Sequence, residues 1–334
     1  MAFKQQNGLH LILRWKGISM YQQFFVLFAI MFSGYLLRKF VIIDFNMNRG
    51  LNRFIVYFSF PCLILEKIGM LPMDKPTMNL FYIVFGIGFA LFAVYAGIAF
   101  LYVKARHFPK EKSGIIEFAM TAANTGFMGF PITLLFFGEK GLLLILALNS
   151  VLYIYTFTYG LYLLRRNNDK LKEKNMKNNM VGLFKLLLNP SIIALVLGLM
   201  ISNNHFEIPV VIQSYLQLIG DVATPMVMIF IGSSLYGCNL LDMIKDRVIA
   251  ESVIMKLLVM PVITALLVMF LPLSVLAKTM CVFSCAFPTA AMVPILTEQE
   301  GKNVEFASMI LLLSTVLSMV TIPVIVEFAR IVFG

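Results

Sequence analysis

Long apolar stretches separated by short polar segments recur along almost the whole chain. About twenty apolar residues cross the hydrocarbon core of a bilayer as one helix. Stretches of that kind run over residues 20–37, 49–69, 79–103, 113–137, 141–164, 187–202, 209–236, 248–271, 275–299 and 304–330. The pattern predicts an all-α polytopic membrane protein with about ten transmembrane helices. Two stretches, the fourth and the ninth, are interrupted. The fourth contains Ala122-Ala123-Asn124-Thr125-Gly126-Phe127-Met128-Gly129-Phe130-Pro131, and the ninth Cys285-Ala286-Phe287-Pro288-Thr289-Ala290-Ala291-Met292-Val293-Pro294. Unwound backbone at membrane depth is tolerated only where it lines a cavity, so paired breaks point to a transporter.

The basic segment from Arg165 to Lys185 is the one long polar stretch, and it leaves five apolar stretches on either side. The expected organisation is a lead over 1–19, a first repeat over 20–164, a cytoplasmic loop over 165–186 and a second repeat over 187–334. Pro131 and Pro294, Ile132 and Ile295, and Gly138 and Gly301 are each 163 residues apart. Gly34 and Gly198, like Pro61 and Pro225, are 164 apart. An odd number of helices per half makes the second copy enter from the opposite face, so an inverted 5+5 repeat is expected.

Composition agrees with the membrane reading. Hydrophobic residues make up 60% and charged ones 13%, against about 45–50% and 25% in soluble domains. The net charge of +10 would suggest nucleic acid in a soluble protein. Here 18 basic residues, among them Arg38, Arg106, Lys110 and Arg165, fall in alternate loops, and 8 fall on the other side. That is the positive-inside pattern. It excludes a nucleic-acid partner and predicts a multi-pass protein of the cytoplasmic (inner) membrane, with both termini outside and the 165–186 loop in the cytoplasm. Lys4, Arg14 and Lys16 run against an outside N-terminus. The run from Leu9 to Leu13 is too short for a signal-peptide core, which leaves an amphipathic lead or an extended start before Met20. Cys62, Cys238, Cys281 and Cys285 lie in or at the ends of apolar stretches. Cys281 and Cys285 are one helical turn apart, a spacing that allows a metal or redox pair, but no His or acidic residue lies beside them, so packing is expected and no metal or cofactor.

The breaks supply the candidate chemistry. A helix interrupted in mid-membrane frees N–H groups on one stub and C=O groups on the other, and each N-terminus favours an anion by about 0.3–2 kcal/mol. From the first break Asn124, Thr125, Gly126, Phe127, Gly129 and Pro131 are expected to hold the substrate, with the amide and hydroxyl donating and the glycines admitting a ligand to the backbone. From the second come Phe287, Pro288, Thr289 and Ala290, with Thr289 expected as a capping hydroxyl. Pro61 and Pro225 read as kinks or as secondary cavity residues. Asp221 and Lys256 are charged residues inside apolar stretches, which normally face a cavity or a partner. They are candidates for ion coupling, with a mutual pair or a snorkelling Lys256 as the plainer readings. Glu117 reads as an interfacial charge. Asn149, Ser314, Thr315 and Ser318 read as helix-packing polar residues, Asn149 also as a cavity candidate.

The segment Asn124-Thr125-Gly126-Phe127-Met128-Gly129-Phe130-Pro131 resembles the Asn-Thr-Gly-Phe-x-Gly-x-Pro signature of the auxin efflux carrier family, in its bacterial branch. Ala223-Thr224-Pro225, Gly232-Ser233-Ser234-Leu235, Lys256 with Pro261, and Ala286-Phe287-Pro288-Thr289-Ala290-Ala291-Met292 are also similar to that family, and the likeness covers residues 20–330. The resemblance implies a scaffold panel and a transport panel whose crossed helices four and nine hold the substrate, with elevator-like alternating access and a homodimer. Plant PIN carriers of this fold move an indole-acetate anion, and bacterial relatives are described as malonate or malate carriers. This chain lacks the long central hydrophilic region and has no asparagine matching Asn124 in the second break. The implied substrate is therefore a small mono- or dicarboxylate. Proton coupling, sodium coupling and uniport stay open; Asp221 offers a titratable site for a proton, and no sodium cage is evident in the sequence.

Two other classes compete. A membrane receptor or sensor for a carboxylate would present the same site without transport. An intramembrane aspartyl protease would use Asp221, but that chemistry needs two carboxylates sharing a proton. Asp44, Asp74, Asp169, Asp242 and Asp246 all fall in predicted loops, so no enzyme is expected.

Overall fold

The structure, a computed structural model, describes residues 20–166, 189–204, 206–237 and 240–333. The 1–19 lead and most of the 165–186 loop therefore lie outside the described residues, as does Cys238. The regular elements are helical, in chain order α1 Met20–Lys39, α2 Phe45–Phe54, α3 Phe60–Gly69, α4 Lys75–Ala105, α5 Lys110–Thr121, α6 Phe130–Tyr155, α7 Leu161–Arg165 and α8 Pro190–Asn203. There follow α9 Val210–Asp221, α10 Ala223–Ser234, α11 Leu240–Lys245, α12 Arg247–Ile254, α13 Met260–Val268, α14 Val275–Ala286, α15 Met292–Gln299 and α16 Val304–Phe333. Among the described residues, five helical segments are long and apolar enough to cross a membrane: Lys75–Ala105, Thr125–Arg165, Val210–Ser234, Arg247–Val268 and Val304–Phe333.

Proline shapes several of these helices. The π turns Ile55–Ser59, Thr125–Gly129 and Met255–Val259 each precede a helix with proline in its first turn, namely Pro61, Pro131 and Pro261. Proline lacks an N–H and its ring collides with the carbonyl four residues back, so one extra residue in the turn relieves the clash without ending the helix. Gly138 turns the chain within the Thr125–Arg165 segment at φ 65°, a left-handed value. Its counterpart 163 residues on, Gly301, has φ 63°. Both are positions where a side chain would be strained.

The chain divides into two units. The smaller contains α1 and Thr224–Tyr236. There the backbones of α1 and α10 approach closely: a Cβ on Gly34 would lie 2.2 Å from the Ile229 carbonyl oxygen, and one on Gly232 1.7 Å from that of Met31. Small residues that let backbones meet are the usual glue between helices in lipid. Asn48 Nδ2 also donates to Ser234 Oγ at 3.1 Å, and Ser233 Oγ donates to the Asn48 side-chain oxygen Oδ1.

The larger unit, Arg53–Ala223 with Gly237–Gly334, has a continuous core built from α4, α5, α6, α12, α13, α14 and α16. Ion pairs link its helices. Arg165 Nε donates to Glu300 Oε2 at 2.7 Å, Arg166 Nη1 to Glu117 Oε2 at 2.9 Å, and Arg106 Nε to Glu251 Oε2 at 2.9 Å. Glu117 is only 1% exposed, so it is a buried ion-paired residue and not the interfacial charge expected. Its place follows from Arg166, which reaches it from the end of α7.

Candidate functional site

The site begins where two helices stop. α5 ends at Thr121, and Ala122 is extended, with ψ 109°. Helical structure resumes at Thr125. α14 ends at Ala286, Phe287 is extended with ψ 153°, and α15 starts at Met292. The two extended pieces lie side by side as an antiparallel bridge centred on Ala123 and Thr289. Asn124 N–H donates to the Pro288 carbonyl at 2.7 Å, and Ala290 N–H donates to the Ala122 carbonyl at 2.9 Å. Backbone groups that each break frees are thus satisfied by the other, away from water.

Side chains complete the junction. Asn124 accepts from the Phe127 N–H at 3.3 Å through Oδ1, an N-cap on the restarted helix. With Oδ1 committed to the cap, the amide NH2 is what Asn124 can offer a ligand. Thr125 Oγ1 donates to the side-chain amide oxygen Oδ1 of Asn149. Asn149 therefore orients Thr125, a role more specific than helix packing.

Thr289 departs from expectation. Its hydroxyl does not cap α15, whose N-cap is Ala291 without a side-chain bond. Two residues separate Thr289 from Met292, and its Oγ1 instead donates to the Ala119 carbonyl at 3.0 Å. Ala119 belongs to the last turn of α5, where carbonyls have no helical partner. The Thr289 N–H donates to Ser314 Oγ at 3.1 Å, so Ser314 of α16 belongs to the junction. Ser318 contacts the Met128 sulfur at 3.8 Å.

The two glycines are unequal. A Cβ on Gly129 would meet the Phe287 ring at 3.1 Å, whereas one on Gly126 meets nothing within 4 Å. The space beside Gly129 is taken by Phe287, which is fully buried and packs on Phe283 with centroids 5.4 Å apart. Gly129 and Phe287 are thus mutual packing partners and not a ligand's approach. Gly126, Phe127, Ala291 and Met292 are half-buried while their neighbours are buried, so the open face of the junction lies at the starts of the two restarted helices. Phe60, which the sequence did not single out, reaches this face, with its ring 6.0 Å from Phe127 and 5.6 Å from Phe130. Neighbouring Pro61 relieves its helix through the π turn before it. Pro225 lies in the first turn of α10.

The two charged candidates separate. Lys256 is fully buried; it neither snorkels nor pairs with Asp221. Asp221 ends α9 and is exposed, and it acts electrostatically on Glu66 and Lys67, an ion pair at 2.9 Å. A cleft of about 480 Å³ lined by Phe89, Phe92, Phe100, Tyr155 and Tyr159 among others contains no residue of either break. Its aromatic walls do not suit an anion.

Paired breaks bonded to each other among apolar helices point to a membrane transport protein. The family model described as "Membrane transport protein" matches residues 19–326, and the chain belongs to that family, the auxin efflux carriers. The chain is similar to an "Uncharacterized transporter" of Methanothermobacter thermautotrophicus, 23% identical over 291 residues that cover 87% of this chain and 92% of the relative. It is also similar to a "Putative malonate transporter" of Rhizobium meliloti, 25% identical over 309 residues, 91% of this chain and 93% of the relative. Both names denote transport and not catalysis.

Proposed function

We propose that the chain is a secondary transporter that moves a small organic anion, a mono- or dicarboxylate of malonate size, across the cytoplasmic membrane by alternating access. The anion lies at the crossing of the two breaks. The observation that carries this reading is the open face at Gly126, Phe127, Ala291 and Met292, where two helix N-termini begin beside the Asn124 amide. Two such termini stabilise an anion by about 0.3–2 kcal/mol each. Favourable backbone dipoles then do what a fixed arginine does in other carboxylate sites, at a smaller desolvation cost. The name of the Rhizobium relative supports a carboxylate. The inverted 5+5 repeat, with the breaks in spans four and nine, accounts for two left-handed glycines 163 residues apart. Elevator-like movement and a homodimer follow the resemblance to the family.

Counterflow of radiolabelled malonate and malate in proteoliposomes tests the proposal. Saturable exchange is expected for the wild type. It should be lost in Asn124→Asp, which keeps the Oδ1 cap on Phe127 but places a negative charge where the anion sits. Exchange in Asn124→Asp equal to wild type would refute the assignment, and specific binding without exchange would make the protein a sensor.

A further inference from the structure

Lys256 lies in the π turn Met255–Val259 with its side chain wholly buried, and its Nζ makes no hydrogen bond. Around that turn pack α5, α12, α13, α14 and α16. The titratable group whose charge bears on the amine is Cys285 of α14, three residues before Pro288 in the second break. Cys285 is held in turn by Thr264 of α13, 3.2 Å from its sulfur, and Thr264 donates to the Tyr95 hydroxyl at 3.0 Å. Lys256 therefore stands against the last turn of α14 before the site.

Charged groups on the surrounding helices are engaged elsewhere or exposed. Glu117 of α5 is paired with Arg166, Glu251 of α12 with Arg106 and Arg247, and Glu327 of α16 with Arg330. Lys278 of α14 donates to the Met269 carbonyl. Lys112 of α5 lies over the Phe306 ring, and Lys110, Glu111 and Glu305 are exposed. No described carboxylate balances a charge on Lys256. An unpaired ammonium in such a site is strongly penalised, whereas a neutral amine pays only for an unmade hydrogen bond. An anion lodged at the breaks would supply the missing opposite charge.

We propose that Lys256 is the proton site of the transporter. Its amine lone pair takes one proton from water when a carboxylate binds at the breaks, and the N–H bond breaks again when the carboxylate leaves, so that anion and proton travel together. The inference rests on the breaks being the anion site. It favours a proton over a metal cation as the coupling ion and assigns the proton to Lys256 in preference to Asp221.

Calorimetry of malonate binding to the purified full-length protein, in two buffers of different ionisation enthalpy at about pH 9, counts the protons taken up. Close to one proton per malonate is expected for the wild type, with affinity improving about tenfold per unit fall in pH. Lys256→Met and Lys256→Arg should each bind malonate with almost no proton uptake and little pH dependence. Wild-type binding without proton uptake overturns the inference while leaving the anion site standing, and so does undiminished uptake in either variant. Absence of malonate binding to the wild type overturns the malonate reading and this inference with it.

Discussion

Thr289→Val removes a single hydroxyl at nearly constant volume from the point where the two breaks meet. The lost bond is the one from Oγ1 to the Ala119 carbonyl at 3.0 Å, and Thr289 is fully buried. Two scales bear on its size. Side-chain hydrogen bonds between membrane helices average about 0.6 kcal/mol and reach about 1.7. A buried carbonyl left without any partner costs about 1–3 kcal/mol. Ala119 lies in the final turn of α5, so no helical N–H replaces the threonine, and the second scale governs. The expected loss is about 1–2 kcal/mol, a factor of about 5–30 in the folded-to-unfolded ratio. Reversible unfolding in bicelles measures it, with Thr289→Ser as the control that keeps the hydroxyl and should stay near wild type. Counterflow of malonate should weaken in the valine variant, because Asn124 and the starts of both restarted helices are registered by the same bridge. If Thr289→Val retains wild-type stability, or Thr289→Ser falls as far as it does, the hydroxyl does not hold the junction and the argument fails.

Gly126→Ala and Gly129→Ala should part company. The former should fold normally and weaken carboxylate exchange, and the latter should lower stability in a way that Phe287→Leu partly restores; equal behaviour of the two would remove the distinction drawn from their surroundings. Gly232→Ala should prevent accumulation of folded protein in the membrane, since its Cβ would lie 1.7 Å from the Met31 carbonyl oxygen; a monodisperse chromatographic peak at wild-type yield would contradict it. Asp74 caps α4, and its hydrogen bonds from the Thr77 side chain and backbone hold its carboxyl below the usual range. That contribution to stability is present above the ordinary carboxylate pKa and lost as pH falls through the lowered one, so Asp74→Asn should flatten the acid limb of a stability profile, and an unchanged limb would exclude the cap as its source.

The apolar pattern and the punctuation made the helices and the two breaks legible, because glycine and proline act on the backbone where they stand. Gly138 and Gly301 could be matched by spacing alone and both turn the chain with positive φ. Partners across the fold were less visible. Thr289 looked like a cap because hydroxyls beside helix starts usually are, yet its bond goes to Ala119, 170 residues away. Gly129 and Phe287 compete for one space that only the packed structure reveals. Asp221 and Lys256 both look like charges within apolar sequence, and the helices around them decide that one is exposed and the other enclosed. Phe60 gave no signal at all, since one phenylalanine among 31 does not announce that it faces a site.

The bridge at Ala123 and Thr289 is made by main-chain atoms, and this has a bearing on how the protein can change over generations. Its two bonds, Asn124 N–H to Pro288 O and Ala290 N–H to Ala122 O, ask nothing of the side chains that carry them. The frame of the site can therefore persist while residues 126, 127, 291 and 292 are exchanged one at a time. Selection for a new cargo would then act on a few open positions without dismantling the joint, and grafting one break into a relative without its companion would leave backbone donors and acceptors stranded.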